Sequence, residues 1–217
     1  MVEFDVCASL DGAPVVVHGP RLDRWSTGTG RVADQPVAQL ATHRLRRRDG
    51  SVVDDQTIPT LGEALDAAGD LAVNCDIKDG VIVDAVVEEL VERSMGDRAV
   101  LSGLSAQQAR RIVRRHGRRV AVLANLDRLD AAVGRWRRLR TSWLLLRYRR
   151  LFHHGIAGLN VPHGWVDARL VDRIHRRGGA VWVFTVDEQA RVDELVAMGV
   201  DSITTNRPGQ IVLTPTQ

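Results

Sequence analysis

The chain has 217 residues, of which 44% are hydrophobic and 26% are charged. These values are typical of a folded domain, here expected to span residues 1–217, and they exclude a disordered, collagen-like or coiled-coil chain. No apolar run reaches the ~18 residues that a membrane span needs. The formal charge of +3 is mild and does not predict a nucleic-acid partner.

The two cysteines, Cys7 and Cys75, are too few for a disulfide framework, and a reducing compartment is the default. The first residues include a carboxylate pair rather than a basic and then apolar segment, so they do not resemble a signal peptide. We therefore expect a cytoplasmic protein, unless a segment preceding the given N-terminus carries an export signal.

Short β-branched runs alternate with amphipathic stretches along the chain. They predict strands at residues 2–7, 14–18, 71–78, 99–103, 119–125, 156–161, 180–186 and 202–205. Thr60 and Glu63 fit a helix capping box, and Asp187 is predicted to cap the helix that Gly199 ends. Residues 44–56 are predicted to be a polar surface loop. Regular strand–helix alternation predicts parallel strands with helices outside them.

Two architectures fit this alternation, an open doubly wound sheet and a (β/α)8 barrel. The open sheet usually carries a glycine-rich phosphate loop after its first strand, whereas Gly28-Thr29-Gly30 follows polar sequence and opens no convincing helix. In a barrel, polar residues at the carboxyl ends of the strands form the site. Such residues end nearly every predicted strand: Asp5, His18, Asp76, Lys78, Ser102, Asn125, Asn160, Thr185, Thr205 and Asn206. We therefore expect an α/β fold of the (β/α)8 TIM type.

Acidic residues recur at strand spacing near the start of the chain. Glu3 and Asp5 lie two residues apart and point to one face, where two ionised carboxylates repel each other unless a cation lies between them. Asp76 and Lys78 share a face in the same way near the end of the next barrel strand. These oxygen ligands favour Mg²⁺ or Ca²⁺ over zinc, in a site that also accepts an anion. The spacing alone leaves open a solvated N-terminus, a local Asp76–Lys78 ion pair and a His18 that merely ends its strand.

A basic segment at residues 135–150, from Arg135 to Arg150, alternates arginines with tryptophan, leucine and tyrosine. It fits a helix that lies on an anionic membrane surface or contacts nucleic acid. It equally fits an outer barrel helix with solvated arginines, and we weigh that interpretation more heavily because every outer helix is amphipathic.

Ordered motifs extend along most of the chain: Glu-Phe-Asp-Val at 3–6, Leu-Asp-Gly-Ala-Pro-Val-Val-Val-His at 10–18, Leu-Asp-Arg at 22–24, Ile-Pro-Thr-Leu-Gly-Glu-Ala-Leu at 58–65, Asp-Ile-Lys at 76–78, Val-Phe-Thr-Val at 183–186 and Gly-Val-Asp-Ser-Ile-Thr-Thr-Asn-Arg-Pro at 199–208. In this order and spacing they resemble the glycerophosphodiester phosphodiesterase family. The resemblance implies a (β/α)8 barrel that hydrolyses a small-molecule glycerophosphodiester to glycerol 3-phosphate and an alcohol, with a divalent cation, Mg²⁺ or Ca²⁺, and no nucleic acid.

The resemblance also implies a role for each matching residue. The resemblance makes Glu3, Asp5 and Asp76 the cation ligands and gives Lys78 the role of neutralising the phosphate charge. It makes His18 the general acid or base and places Trp182 against the glycerol. For Trp182, a structural role in the core is at least as well supported.

Several family positions are changed or have no counterpart among the 217 residues. The family begins with a strand ending His-Arg-Gly followed by Pro-Glu-Asn-Thr, which supply a second catalytic histidine, a phosphate-binding arginine and another glutamate ligand. We therefore expect that the first β/α unit is missing and that turnover is impaired, and Met1 would suit a start codon assigned too late. Gly19 and Asn206 each replace an aspartate of the family, and Asp76 replaces a glutamate. The alternative is a catalytically inactive relative that binds phosphodiesters or a partner.

Overall fold

The structure, a computed structural model, describes residues 1–126 and 155–213. These residues form two compact units. Unit 1 contains Met1–Gly103 and Arg115–Ala121, and unit 2 contains Leu104–Arg114 and, as far as it is described, Val122–Gln217. Residues 135–150, the candidate membrane or nucleic-acid contact, lie outside the described residues. Within the described ranges, none of the helices combines the length and apolarity that crossing a bilayer requires.

Unit 1 contains a mixed sheet and a separate hairpin. Its strands are β1 (Val2–Ala8), β2 (Pro14–Val16), β3 (Arg44–Arg46), β4 (Val52–Thr57), β5 (Val73–Ile77) and β6 (Ala99–Ser102), and its helices are α1 (Val37–Leu40), α2 (Leu61–Ala68) and α3 (Val83–Glu92). In the sheet, β5 lies between β1 and β6 and is parallel to both. The parallel register places Asp5 directly opposite Asp76.

The predicted strand at 14–18 departs from the expected parallel pattern. The strand found there, β2, runs antiparallel to β1, with Val6 opposite Val16. The connection contains only residues 9–13, whereas a parallel crossover needs a dozen or more residues, so the chain must reverse in a tight turn. Gly12 provides that turn with a φ of +79° and donates its backbone N–H to the Ser9 carbonyl at 3.1 Å.

The predicted loop at 44–56 is instead the antiparallel β3–β4 hairpin, and that prediction was wrong. Its strands are largely exposed, so they lack the apolar alternation by which strands are recognised in sequences. The hairpin holds the preceding segment through backbone hydrogen bonds: Thr27 N–H donates to Arg44 O at 2.8 Å, and Arg46 N–H donates to Trp25 O at 2.8 Å.

Unit 2 consists of strands and helices in alternation. It contains most of α4 (Ala106–His116) and of β7 (Ala121–Asn125), followed by β8 (Gly158–Pro162), α5 (Ala168–His175), β9 (Ala180–Phe184), α6 (Gln189–Ala197) and β10 (Ser202–Ile203). The strands β7, β8, β9 and β10 pair in this order, all in parallel. Valines on one face of β9 are fully buried, whereas the residues between them are half-buried.

The predicted helix signals have mixed outcomes. Thr60 and Glu63 form the capping box at the start of α2, as predicted. Gly199 follows α6 with a φ of +82°, which confirms it as the residue after the helix end. Asp187, however, does not cap α6, since it accepts hydrogen bonds from Thr205 and Asn206. The prediction failed because donors from a distant segment compete with the helix N-terminus for this carboxylate.

Candidate active site

The three acidic residues singled out by strand parity lie together in unit 1. One carboxylate oxygen from each of Glu3, Asp5 and Asp76 lies within 4.8 Å of the others, and we refer to them as the carboxylate cluster. The side chains of Asp5 and Asp76 are largely buried, whereas Glu3 is exposed. Adjacent parallel strands in register bring the residues together, as the sequence pattern predicts. Their role as cation ligands stays a prediction.

The ammonium group of Lys78 lies between two of these carboxylates. Its Nζ is 2.6 Å from Asp5 Oδ1 and also contacts Asp76 Oδ2. Burial by itself lowers the pKa of Lys78, but the Asp76 and Asp5 carboxylates more than offset this effect and raise the pKa above its usual value. Lys78 is therefore charged at neutral pH, and when the three acids are ionised the four groups together carry a net charge of about −2.

His18 lies at the edge of the same cluster. Its Nε2 is 3.5 Å from Asp5 Oδ2, while Lys78 contacts the other oxygen of that carboxylate. The imidazole therefore shares the Asp5 carboxylate with Lys78, and its side chain is 68% exposed. Its catalytic role stays a prediction. The ring of Trp25 contacts the imidazole, with ring centroids 4.8 Å apart and planes at 53°. Sequence reasoning did not predict this contact.

Cys7 supports the backbone around His18 from inside unit 1. Its Sγ is 3.3 Å from Gly19 O and 3.6 Å from Val17 O, the carbonyls on either side of His18. Burial, with a smaller contribution from the Asp5 carboxylate, raises the pKa of Cys7 to about 12. Burial likewise raises the pKa of Cys75 to about 12. Both thiols are therefore protonated and unreactive at neutral pH, as expected for buried cysteines.

Gly103, directly after β6, makes room for Asp76. A Cβ at this position would lie 2.1 Å from Asp76 Oδ1 and 2.5 Å from the backbone oxygen of Ile77. The residue also has a φ of +76°, which favours glycine. Sequence reasoning missed Gly103, although a glycine immediately after a buried strand is a signal for such a close approach.

Trp182 belongs to unit 2. It lies on β9, opposite Asn160 of β8 and Ser202 of β10, and Asn125 of β7 continues the row of register partners. Trp182 is half-buried, whereas Asn125 and Asn160 are buried. Its contact with a substrate stays a prediction.

Comparison with known proteins decides the family. The sequence matches the model of the glycerophosphoryl diester phosphodiesterase family over residues 1–210. The chain belongs to this family. A probable glycerophosphodiester phosphodiesterase 2 from Mycobacterium tuberculosis is 30% identical over 220 residues, with 95% of this chain and 75% of the relative covered. A glycerophosphodiester phosphodiesterase from Caldanaerobacter subterraneus is 24% identical, with 97% and 84% covered.

Solved structures of this phosphodiesterase family share the fold. A phosphodiesterase from Oleispira antarctica, in complex with the product sn-glycerol-3-phosphate, matches with a TM-score of 0.77 and 25% identity over 96% of this chain and 82% of that chain. A putative glycerophosphoryl diester phosphodiesterase from Silicibacter pomeroyi matches with a TM-score of 0.73 and 21% identity, covering 95% and 80%. These likenesses and the strand–helix alternation confirm the predicted α/β fold class of the (β/α)8 type.

Proposed function

We propose that this chain hydrolyses glycerophosphodiesters to glycerol 3-phosphate and an alcohol in a reaction that depends on a divalent cation. The observation that carries the proposal is the grouping of the carboxylate cluster, Lys78 and His18 at neighbouring strands of one sheet, in a member of the phosphodiesterase family. The bound product in the Oleispira antarctica relative supports a small-molecule substrate of this class.

The carboxylate cluster fits a hard divalent cation. Three carboxylate oxygens within 4.8 Å of one another provide the oxygen ligands that Mg²⁺ and Ca²⁺ prefer. Their negative charge exceeds the single positive charge of Lys78, so the site attracts a further cation. When bound, the cation would polarise a phosphoryl oxygen as a Lewis acid. We propose Mg²⁺ or Ca²⁺, and calorimetric titration with each ion distinguishes them.

The remaining side chains supply charge and proton transfer. Hydrolysis forms a bond from the water oxygen to phosphorus, breaks the bond from phosphorus to the alcohol oxygen, and moves one proton from the water to that oxygen. Lys78 carries a positive charge that compensates the phosphate anion. The His18 side chain is largely exposed to solvent and lies beside Asp5, and an imidazole is suited to accepting or donating this proton.

The test is hydrolysis of glycerophosphocholine, followed by enzymatic detection of glycerol 3-phosphate with and without a chelator. Asp5→Asn should abolish cation binding and turnover, and His18→Ala should lower kcat by about 10²–10⁴-fold while leaving cation binding intact. Asp172→Asn is the matched control, because Asp172 is an exposed carboxylate on α5 that pairs with Arg176. Turnover that survives both the chelator and Asp5→Asn would contradict the proposal.

Impaired turnover stays a prediction. Gly19 cannot supply the carboxylate that follows the histidine in the family pattern, and Asn206 donates hydrogen bonds to Asp187 instead of contributing a charge of its own. A chain that binds glycerol 3-phosphate in calorimetry but does not hydrolyse glycerophosphocholine would favour the alternative, a catalytically inactive phosphodiester-binding protein. Turnover as fast as that of the Caldanaerobacter relative would contradict the impairment.

A further inference from the structure

We propose that Trp25 is a positioning residue that fixes the imidazole of His18 beside Asp5, and that the β3–β4 hairpin keeps Trp25 in place. This inference rests on the proposed hydrolase function, in which His18 transfers a proton. Trp25 itself is not placed against the substrate or the reacting atoms.

The need for positioning follows from the exposure of His18. Its side chain is 68% exposed, and the 3.5 Å separation from Asp5 is longer than an ordinary hydrogen bond. An exposed imidazole held by this contact alone would keep much of its rotational freedom. The ring of Trp25, at a centroid distance of 4.8 Å and tilted by 53°, restricts that freedom through an aromatic contact of favourable geometry.

Trp25 is itself fixed through its side chain and its backbone. The indole packs against the β2 apolar cluster, a set of buried residues comprising Cys7, Val15, Val17, Leu22, Val32, Leu40 and Ile58. The Arg24 guanidinium lies over the same ring, 4.7 Å from its centroid. Trp25 N–H donates to Leu22 O at 3.1 Å, and Trp25 O accepts from Arg46 N–H of β3 at 2.8 Å.

The hairpin adds contacts to the residue that follows Trp25. An isolated bridge joins Ser26 to Leu45, and Arg46 Nε donates to Ser26 O at 2.9 Å. The exposed hairpin therefore connects to the proposed catalytic histidine through Trp25. Proton transfer depends steeply on the position of the transferring group, so loosening this connection should lower kcat more than it changes substrate binding.

The kinetic test compares Trp25→Ala, Trp25→Phe and Val37→Ala. Val37→Ala is the matched control, because Val37 also packs against the β2 apolar cluster. We expect Trp25→Ala to lower kcat about tenfold with KM changed less than about twofold, and Trp25→Phe to restore most of the rate. Equal loss in Val37→Ala, or an unchanged rate in Trp25→Ala, would overturn the inference.

A double substitution tests whether Trp25 acts through His18. In a His18→Ala background, Trp25→Ala should cause no further loss, because the group that it positions is already gone. If the same tenfold loss recurs there, Trp25 acts by another route and the inference fails.

An NMR measurement separates this inference from the proposed function. The ring current of the indole should change the imidazole proton shifts of His18 in the wild type and to a smaller extent in Trp25→Phe, and this change should be absent in Trp25→Ala. If the wild-type protein shows no turnover, the proposed hydrolase function is wrong. The chemical shifts of the His18 imidazole protons would still decide whether Trp25 fixes that imidazole. A His18 spectrum indifferent to Trp25→Ala would overturn the positioning role even in an active enzyme.

Discussion

Replacing Gly103 by alanine should damage the site and the stability of unit 1 together. The new Cβ would lie 2.1 Å from Asp76 Oδ1 and 2.5 Å from Ile77 O, so both the side chain and the backbone of β5 would have to move. The φ of +76° costs an alanine about 1–2 kcal/mol. Overpacking against β5 adds about 1–3 kcal/mol, which gives a total of about 2–5 kcal/mol.

Urea unfolding followed by circular dichroism measures this cost, and Gly199→Ala is the matched control. Gly199 has a similar φ of +82° but no atom within 4 Å of the Cβ position, so its substitution carries the backbone cost alone. We expect Gly103→Ala to lower the free energy of unfolding by about 1–3 kcal/mol more than Gly199→Ala does.

Cation titration provides the second measurement on the same pair of variants. Gly103→Ala should weaken the binding of Mg²⁺ or Ca²⁺ because it displaces the Asp76 carboxylate, while Gly199→Ala should leave the affinity unchanged. Equal unfolding free energies for the two variants would refute the close approach of Gly103 to Asp76. Equal cation affinities would refute the part of the reasoning that links this approach to the site.

Three further predictions follow from other contacts. Hydrogen bonds from the backbone and side chain of Thr60 lower the pKa of Glu63, so Glu63 stabilises the fold above its unfolded pKa and loses this effect as the pH falls through its folded pKa. The difference in urea midpoint between wild type and Glu63→Gln should therefore shrink between pH 7 and pH 3, and a constant difference would contradict the capping role. Cys7 and Cys75, with pKa values raised to about 12, should resist a thiol reagent at pH 8 until urea unfolds the chain, and rapid labelling of the native protein would contradict their burial. Asp187 accepts hydrogen bonds from Thr205 and Asn206, so Asp187→Ala should lower the free energy of unfolding by about 1 kcal/mol. An unchanged urea unfolding curve would show that these hydrogen bonds do not stabilise the fold.

Local periodicity predicted how the carboxylate cluster is grouped but left its role open. Glu3 and Asp5 share a face because side chains alternate along a strand, and Asp76 joins them because adjacent parallel strands in register place equivalent residues side by side. The contact between Trp25 and His18 could not be predicted in this way. It depends on an exposed hairpin that lacks the apolar alternation of a strand, and on contacts between segments far apart in the sequence.

The failed cap at Asp187 has a similar physical origin. Propensity rules compare a carboxylate only with the backbone N–H groups that follow it, whereas the folded chain also brings Asn206 to this side chain. The close approach of Gly103 to Asp76 likewise depends on how β6 packs beside β5. A glycine after β6 signals that some group comes close, but it does not tell which one.

The position of β2 at the edge of the sheet affects whether unit 1 can pair with a strand of another protein molecule. Unpaired backbone groups along the outermost strand of a sheet can recruit a strand from another molecule and lead to aggregation. In unit 1 this strand is β2, which has three residues, and its Val16 N–H donates to Pro59 O at 2.9 Å while Val15 bridges to Thr60. The segment leading into α2 therefore occupies hydrogen-bonding positions that a strand of another molecule would need. The β2 edge of the sheet, which lies beside the carboxylate cluster, is thereby protected against intermolecular β-pairing.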